Sequence, residues 1–333
     1  MSLTVRLVAA VSSEMACNYC LSDGVTPRHI CLHDSWRNVK DPIVLAMYAR
    51  KGGAGRTIMC LQLAGACAEY GANVLVIDQD PQGSLSKNLF GAGAVERLRP
   101  HETTAAIYDE GIDDYSRVIR QTEIPNIAIV PANDHLEAFD NFPDKQGPEH
   151  DRLQFALRDF VRKVQSDFDM VLVDTPPNVS NLPALAALNA TRYVLTPVRP
   201  VKNSCEAIRD IKVRLADVMQ SSNPNLVDLG YFITDYDKRP AFHRSQQRLL
   251  RQLYGSQIFD TVVLRRIAFD EEAYSLKPIT HVRPGSDESQ MIRDLLNEIA
   301  HRINESRESL VDVAADSPQE RKQEELTAKV ANE

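Results

Sequence analysis

Three short runs of residues in this chain have types and spacing suited to holding a phosphate and a metal ion. The first is Arg50-Lys51-Gly52-Gly53-Ala54-Gly55-Arg56-Thr57, between an apolar run, Val44 to Ala49, and a helical pattern from Ile58 to Tyr70. Glycines let backbone N–H groups turn inward and approach an anion closely. The N-terminus of the following helix adds positive potential. Thr57 can place its hydroxyl on Mg²⁺. The second run is Asp78-Gln79-Asp80-Pro81-Gln82-Gly83, after the apolar Val74-Leu75-Val76-Ile77, and the third is Asp174-Thr175-Pro176-Pro177, after Met170-Val171-Leu172-Val173. One carboxylate of such a set can serve the Mg²⁺ shell and another can orient an attacking water. Each aspartate alone reads equally well as a turn or cap residue; the three runs in order read as a nucleotide site.

These residues need a scaffold that brings strand ends together. From Ile43 onward, continuous apolar runs alternate with helical patterns. The runs are 44–49, 73–78, 127–130, 170–174, 193–196 and 229–234; the helices are 58–70, 153–165, 204–220 and 291–302. Such alternation predicts an α/β fold with a doubly wound, mostly parallel sheet. Ligands bind beyond the carboxyl ends of such strands. The chain divides into a Cys/His-containing extension at 1–40, an α/β domain at 41–303 and a charged tail at 304–333. The tail carries eight acids against four bases, with Pro318 inside it, and reads as solvated and disordered.

With 43% hydrophobic and 25% charged residues the 333-residue chain can build an ordinary core. Its net charge of -8 excludes a globally basic nucleic-acid binder, so any such contact must be a local patch. The start lacks the apolar stretch of a secretion signal, and no apolar run reaches membrane-spanning length. Cys60, Cys67 and Cys205 fall in apolar helical patterns and read as reduced core residues, which points to the cytoplasm.

The segment from Ile43 to Arg302 resembles the ParA/MinD class of deviant Walker P-loop ATPases, and ParA-type partition proteins in particular. The resemblance is carried by KGGAGRT, VLVIDQDPQGSLS, FDMVLVDTPP, YVLTPVRPVKNS and VVLRRIAFDEEAYSLKPIT. It implies an ATPase that dimerises face to face with ATP, binds non-specific DNA on the nucleoid and hydrolyses ATP when stimulated by a ParB-like or cargo-adaptor protein. Gly52, Gly53, Ala54, Gly55, Arg56, Thr57 and Ile58 would then bind the nucleotide. Lys51 matches the signature lysine that reaches the partner's phosphates, and Asp80 the residue that orients water. Thr57, Asp78 and Asp174 match the Mg²⁺ neighbourhood, and Asp174 to Asn178 the switch that senses the γ-phosphate. The class has Lys where this chain has Arg56. A guanidinium is larger and forked, which puts hydrolysis in question and gives a second expectation, a nucleotide-binding scaffold. A third expectation, an iron–sulfur or metal-linked relative with cysteines at the dimer face, is disfavoured because this core lacks such a paired motif.

Residues 237–266 hold seven bases against two acids, and Arg244, Arg248 and Arg251 share a helix face. With Arg265 and Arg266 they form the expected DNA surface, since phosphates bind such a face without sequence readout. The tail lacks the bulky apolar residues of a membrane-docking helix, so no membrane role is expected. Cys17, Cys20, Cys31 and His33 have the spacing of a closed Zn²⁺ site. Forty residues are too few for a helix-turn-helix domain ahead of the core.

Overall fold

The computed structural model describes residues 42–50, 52–109, 114–140, 147–177, 181–265 and 277–315. Its strands are β1 (Ile43–Met47), β2 (Val74–Asp78), β3 (Arg120–Gln121), β4 (Ile127–Val130), β5 (Met170–Asp174), β6 (Tyr193–Val198), β7 (Val227–Tyr236) and β8 (Ile258–Leu264). They form one sheet in the order β3-β4-β2-β5-β1-β6-β7-β8. Every neighbouring pair is parallel except β3 with β4. The expected doubly wound sheet is therefore present.

Strands β1, β2, β4 and β5 are buried at every position, because helices cover both faces. Alternate residues serve opposite cores. Ile43, Leu45 and Met47 face one, with α1 (Arg56–Glu69) and a late helix. Val44 and Ala46 face the other, whereas α2 (Ser84–Phe90), which follows the β2 loop, packs Leu85 and Leu89 into the first core. The second core is filled by α3 (Ala156–Val164), α4 (Leu182–Ala190) and α5 (Ser204–Ser221). Then come α6 (Ala241–Tyr254), between β7 and β8, and α7 (Asp287–Ala315).

Three departures from the sequence reading have physical causes. Helix α1 is buried on most of its circumference rather than along one stripe, because α7 closes over the side turned from the sheet. Arg293 of α7 forks onto Glu69 at 2.9 and 2.7 Å to fix that contact. Helix α7 also crosses the composition boundary at 304, since Ile303 is still in the core and the helical pattern outlasts the acidic onset. Positions 316–333 and the 1–40 extension lie outside the described residues, and so do Cys17, Cys20, Cys31 and His33. Finally, β8 and α4 complete the sheet and its cover where no element was expected. The pairing of β7 with β8 is irregular, and the Glu298 carboxylate of α7 accepts the N–H groups of Asp260 and Thr261, each at 2.8 Å.

Candidate nucleotide-binding site

The chain turns from β1 into α1 through the glycine run. Gly55 is the N-cap of α1 in the left-handed region (φ 87°), a conformation that residues with a Cβ resist. A side chain there would also meet Thr234 Oγ1 of β7 at 3.4 Å. Gly55 has no side chain to cap the helix and no acid stands in the first turn, so neither competes with an incoming anion for these N–H groups. Gly52 and Gly53 are exposed, Ala54 is buried, and Thr57 is half-buried. Ile58 packs its side chain on the core, so only its backbone could serve the nucleotide. Lys51 lies outside the described residues.

Sheet order brings the two acidic runs to this turn. Strand β5 sits between β1 and β2, with Met47 and Asp78 each in register with Asp174. Both aspartates are fully buried. Asp78 is occupied by its own loop: Oδ1 accepts the Asp80 N–H at 3.1 Å, and Oδ2 accepts the Ser86 N–H and hydroxyl at 3.0 and 2.7 Å. Ser86 Oγ in turn accepts the Ala132 N–H at 2.8 Å, fastening the loop to the end of β4. Gly83 makes this approach feasible (φ 59°), because a Cβ there would lie 2.4 Å from the Ala132 carbonyl oxygen. Asp80 Oδ1 accepts the Gln82 N–H at 3.0 Å, which fixes its carboxylate at the head of the loop.

Asp174 is different: among the described residues the only donor acting on its carboxyl is the hydroxyl of Thr57, and no backbone N–H holds it. Burial pushes its carboxyl well above the usual range, and repulsion from Asp78 adds to this; the Arg56 guanidinium and the Thr57 hydroxyl offset part of it. Burial likewise raises Asp78, to about 6. A fully buried carboxylate that no backbone N–H holds, beside a threonine hydroxyl, fits the hard-cation side of a Mg²⁺–phosphate site. Mg²⁺ keeps several ligands from water and phosphate, so the lack of a three-residue acidic or His/Cys cluster among the described residues does not conflict with it.

Arg56 is nearly enclosed, at 6% exposure. Its Nε donates to the Thr175 carbonyl at 2.9 Å and its Nη1 to the Ala49 carbonyl at 2.7 Å. The guanidinium therefore ties the end of β1 to the first residue after β5. The Thr175 hydroxyl adds a second tie, donating to the Met47 carbonyl at 2.8 Å. A planar fork spans two carbonyls in a way an ammonium does not.

The expected DNA surface is only partly available. Arg251 pairs with Asp260 at 2.8 Å, and Arg265 forks onto Asp235 at 2.5 and 2.7 Å. Arg239 is held by Asp237 at 2.8 Å. Arg244 and Arg248 remain exposed on α6, although Arg244 also donates to the Lys238 carbonyl at 2.7 Å. The same helix exposes Phe242, Leu249 and Leu253 on another side. Arg266 lies outside the described residues. Cys60 and Cys67 are buried free thiols as expected, and Cys205 is half-buried. No helix among the described residues is long and apolar enough to cross a membrane.

Two residues at the mouth of the site had no assigned role. Arg199, in the quoted YVLTPVRPVKNS run, and Asp235 at the end of β7 pair beside the glycine loop. The sequence signal was an arginine just past a strand end, visible but without a partner until β6 and β7 are aligned.

Residues 43–227 match the AAA domain family. The chain is 30% identical to the chromosome-partitioning ATPase Soj of Thermus thermophilus over 264 residues, 79% of this chain and 97% of that protein. It is 29% identical to the chromosome partitioning protein ParA of Caulobacter vibrioides over 240 residues, 71% and 85% of the two chains. Among solved structures, the ATP complex of McdA from Cyanothece aligns with TM-score 0.66 at 15% identity, over 78% of this chain and 96% of that one, a likeness of fold. Cobyrinic acid a,c-diamide synthase of Mycobacterium smegmatis, with bound ADP and magnesium, aligns with TM-score 0.59 at 26% identity, over 74% and 97%. A synthase and partition proteins share this scaffold, so the fold alone does not choose between their activities. The glycine loop, the register-paired aspartates and these relatives together place the chain in the ParA/MinD-like family of P-loop ATPases.

Proposed function

We propose that this protein is an ATP-driven dimerising switch of the partition type, which binds non-specific DNA in its ATP state and releases it after hydrolysis stimulated by a partner protein. The observation that carries the nucleotide part is Asp174, fully buried beside the Thr57 hydroxyl at the opening of α1, with no other donor on it among the described residues. The partition part is supported by Soj and ParA, which match most of the chain. Backbone N–H groups from Gly52 to Thr57 bind the phosphates, Lys51 serves the phosphates across a dimer, and Thr57 with Asp174 hold Mg²⁺. When bound, Mg²⁺ neutralises charge on the phosphates and orients them. Asp78 keeps the following loop in place, and Asp80 orients the attacking water from the loop head. Arg244 and Arg248 give α6 a side for duplex phosphates, and the protein acts in the cytoplasm on the nucleoid.

The test is anisotropy of a random-sequence DNA duplex with ATP, ADP or no nucleotide. The reading expects binding with ATP alone. Equal binding in all three states would uncouple the basic side from nucleotide, and no binding in any state would overturn the DNA role. The Arg56 bonds favour a second reading, a scaffold that binds ATP without turning it over, because the guanidinium is engaged on Ala49 and Thr175. Comparing steady-state phosphate release of the parent and Arg56→Lys separates the two: turnover that appears only with lysine favours the scaffold.

A further inference from the structure

We propose that Arg199 is a second cation for the terminal phosphate of the bound nucleotide, parked at the lip of the glycine loop on Asp235. The inference rests on the nucleotide reading above and deepens it, assigning ATP-over-ADP discrimination to a residue outside the loop.

Four observations converge on Arg199. It follows β6 directly, and a Cβ built on Gly53 would lie 3.6 Å from its Nη1, so the guanidinium stands beside the outer edge of the phosphate loop. It helps line, with Ala49, Arg50, Gly52 and Ala54, a cavity of about 120 Å³ that opens beside that loop. Among the described residues its Nε is buried without a hydrogen-bond partner, a donor left unused. Among the same residues it pairs with Asp235, a carboxylate that Arg265 already grips with two nitrogens. Asp235 would thus stay satisfied if Arg199 turned to another anion, and two guanidiniums on one carboxylate leave a local positive excess. Asp235 is held for this in the left-handed region (φ 54°), uncommon for a residue with a side chain.

The chemistry supplies a reason for a second cation. Arg56 stands where the loop's own cation would meet the phosphates, yet its guanidinium is engaged on the Ala49 and Thr175 carbonyls. A guanidinium beside Gly53 offers a charge-assisted, forked contact to phosphate oxygens. A triphosphate presents more charge at that edge than a diphosphate, so the contact favours ATP.

Equilibrium binding of fluorescent ATP and ADP analogues to the full-length chain with Mg²⁺ tests this. Arg199→Gln is expected to weaken the ATP analogue about tenfold and the ADP analogue less than twofold. Equal weakening of both, or of neither, overturns the inference. Should Arg199→Gln lower the thermal midpoint enough to obscure binding, Asp235→Asn releases Arg199 from its holder. That variant is expected to tighten ATP two- to threefold with ADP unchanged, and loss of affinity for ATP would overturn the idea. A parent protein that binds neither analogue removes the nucleotide reading itself, whereas a parent that binds both with an indifferent Arg199→Gln removes only this inference.

Discussion

At the ends of β2 and β5, Asp78 and Asp174 face each other in register, fully buried, and no cation pairs with either among the described residues at ion-pair distance. At the β7–β8 end, Asp235, Asp237 and Asp260 lie at or near the surface, and each sits on an arginine. The first region keeps charge under tension, and the second dissipates it in pairs that water also screens. The first region is thus marked by buried charge without a paired cation, and a sum of charges along the sequence overstates the second.

Asp80→Ala challenges the buried region most directly. Phosphate release should fall by about 10²-fold or more, the scale of a lost proton-handling or water-orienting group, while ATP-dependent DNA binding persists. A normal rate in that variant would remove Asp80 from the chemistry. Arg56→Lys should lower stability by about 1.5–3 kcal/mol, since an ammonium cannot keep both buried bonds to Ala49 and Thr175, as urea unfolding would report. An unchanged midpoint would mean that the guanidinium ties nothing together.

Asp174→Asn should act in the opposite direction. Without metal it relieves a buried, unpartnered charge of about 1–2 kcal/mol, a rise of about 2–6 °C in the thermal midpoint. The same variant should lose the further rise that Mg²⁺ and ATP give the parent. A lower metal-free midpoint would show that the aspartate is not under tension.

A pH series sharpens the same point. The carboxyl of Asp78 is raised to about 6 and that of Asp174 is raised well above its usual range, so the folded chain holds protons that the unfolded chain has released above its ordinary value of about 4. Metal-free stability from this pair is therefore greatest at low pH and declines as pH rises through about 6. The stabilisation by Mg²⁺ and ATP should accordingly be larger at neutral pH than at pH 5, read by calorimetry.

The smallest effect separates the surface arginines. Replacing Arg244 and Arg248 together with alanine should reduce the salt dependence of DNA binding by about one to two phosphate contacts. Arg251→Ala should change it little, because its charge is already matched by Asp260. Equal effects would mean that the ion pair opens on DNA.

The glycine loop and the two acidic runs were legible because each is local, a glycine turn or an aspartate at the end of an apolar run. Their juxtaposition was legible only as a rule about parallel sheets; that β5 lies between β1 and β2 is a matter of strand order, which adjacent residues do not encode. The role of Arg56 was readable as a departure in type, but its partners, Ala49 and Thr175, are brought together only by that strand order. The charge count over the basic stretch was incomplete for a related reason. Asp235 stands two residues before the counted window, and the pairing of Arg265 with it requires β7 and β8 to lie side by side. Strand β8 escaped notice because it is only half covered, and α4 because its apolar residues run all round the helix without a period.

Glu298 closes the irregular stretch of β8 by accepting the N–H groups of Asp260 and Thr261, across 38 and 37 positions of sequence. On the ribosome, the last strand of the sheet would emerge before the side chain that finishes it, leaving a raw sheet border during the synthesis of those residues. A chain cut short before α7 would lack Glu298 and leave the Asp260 and Thr261 N–H groups open to pairing with neighbouring chains.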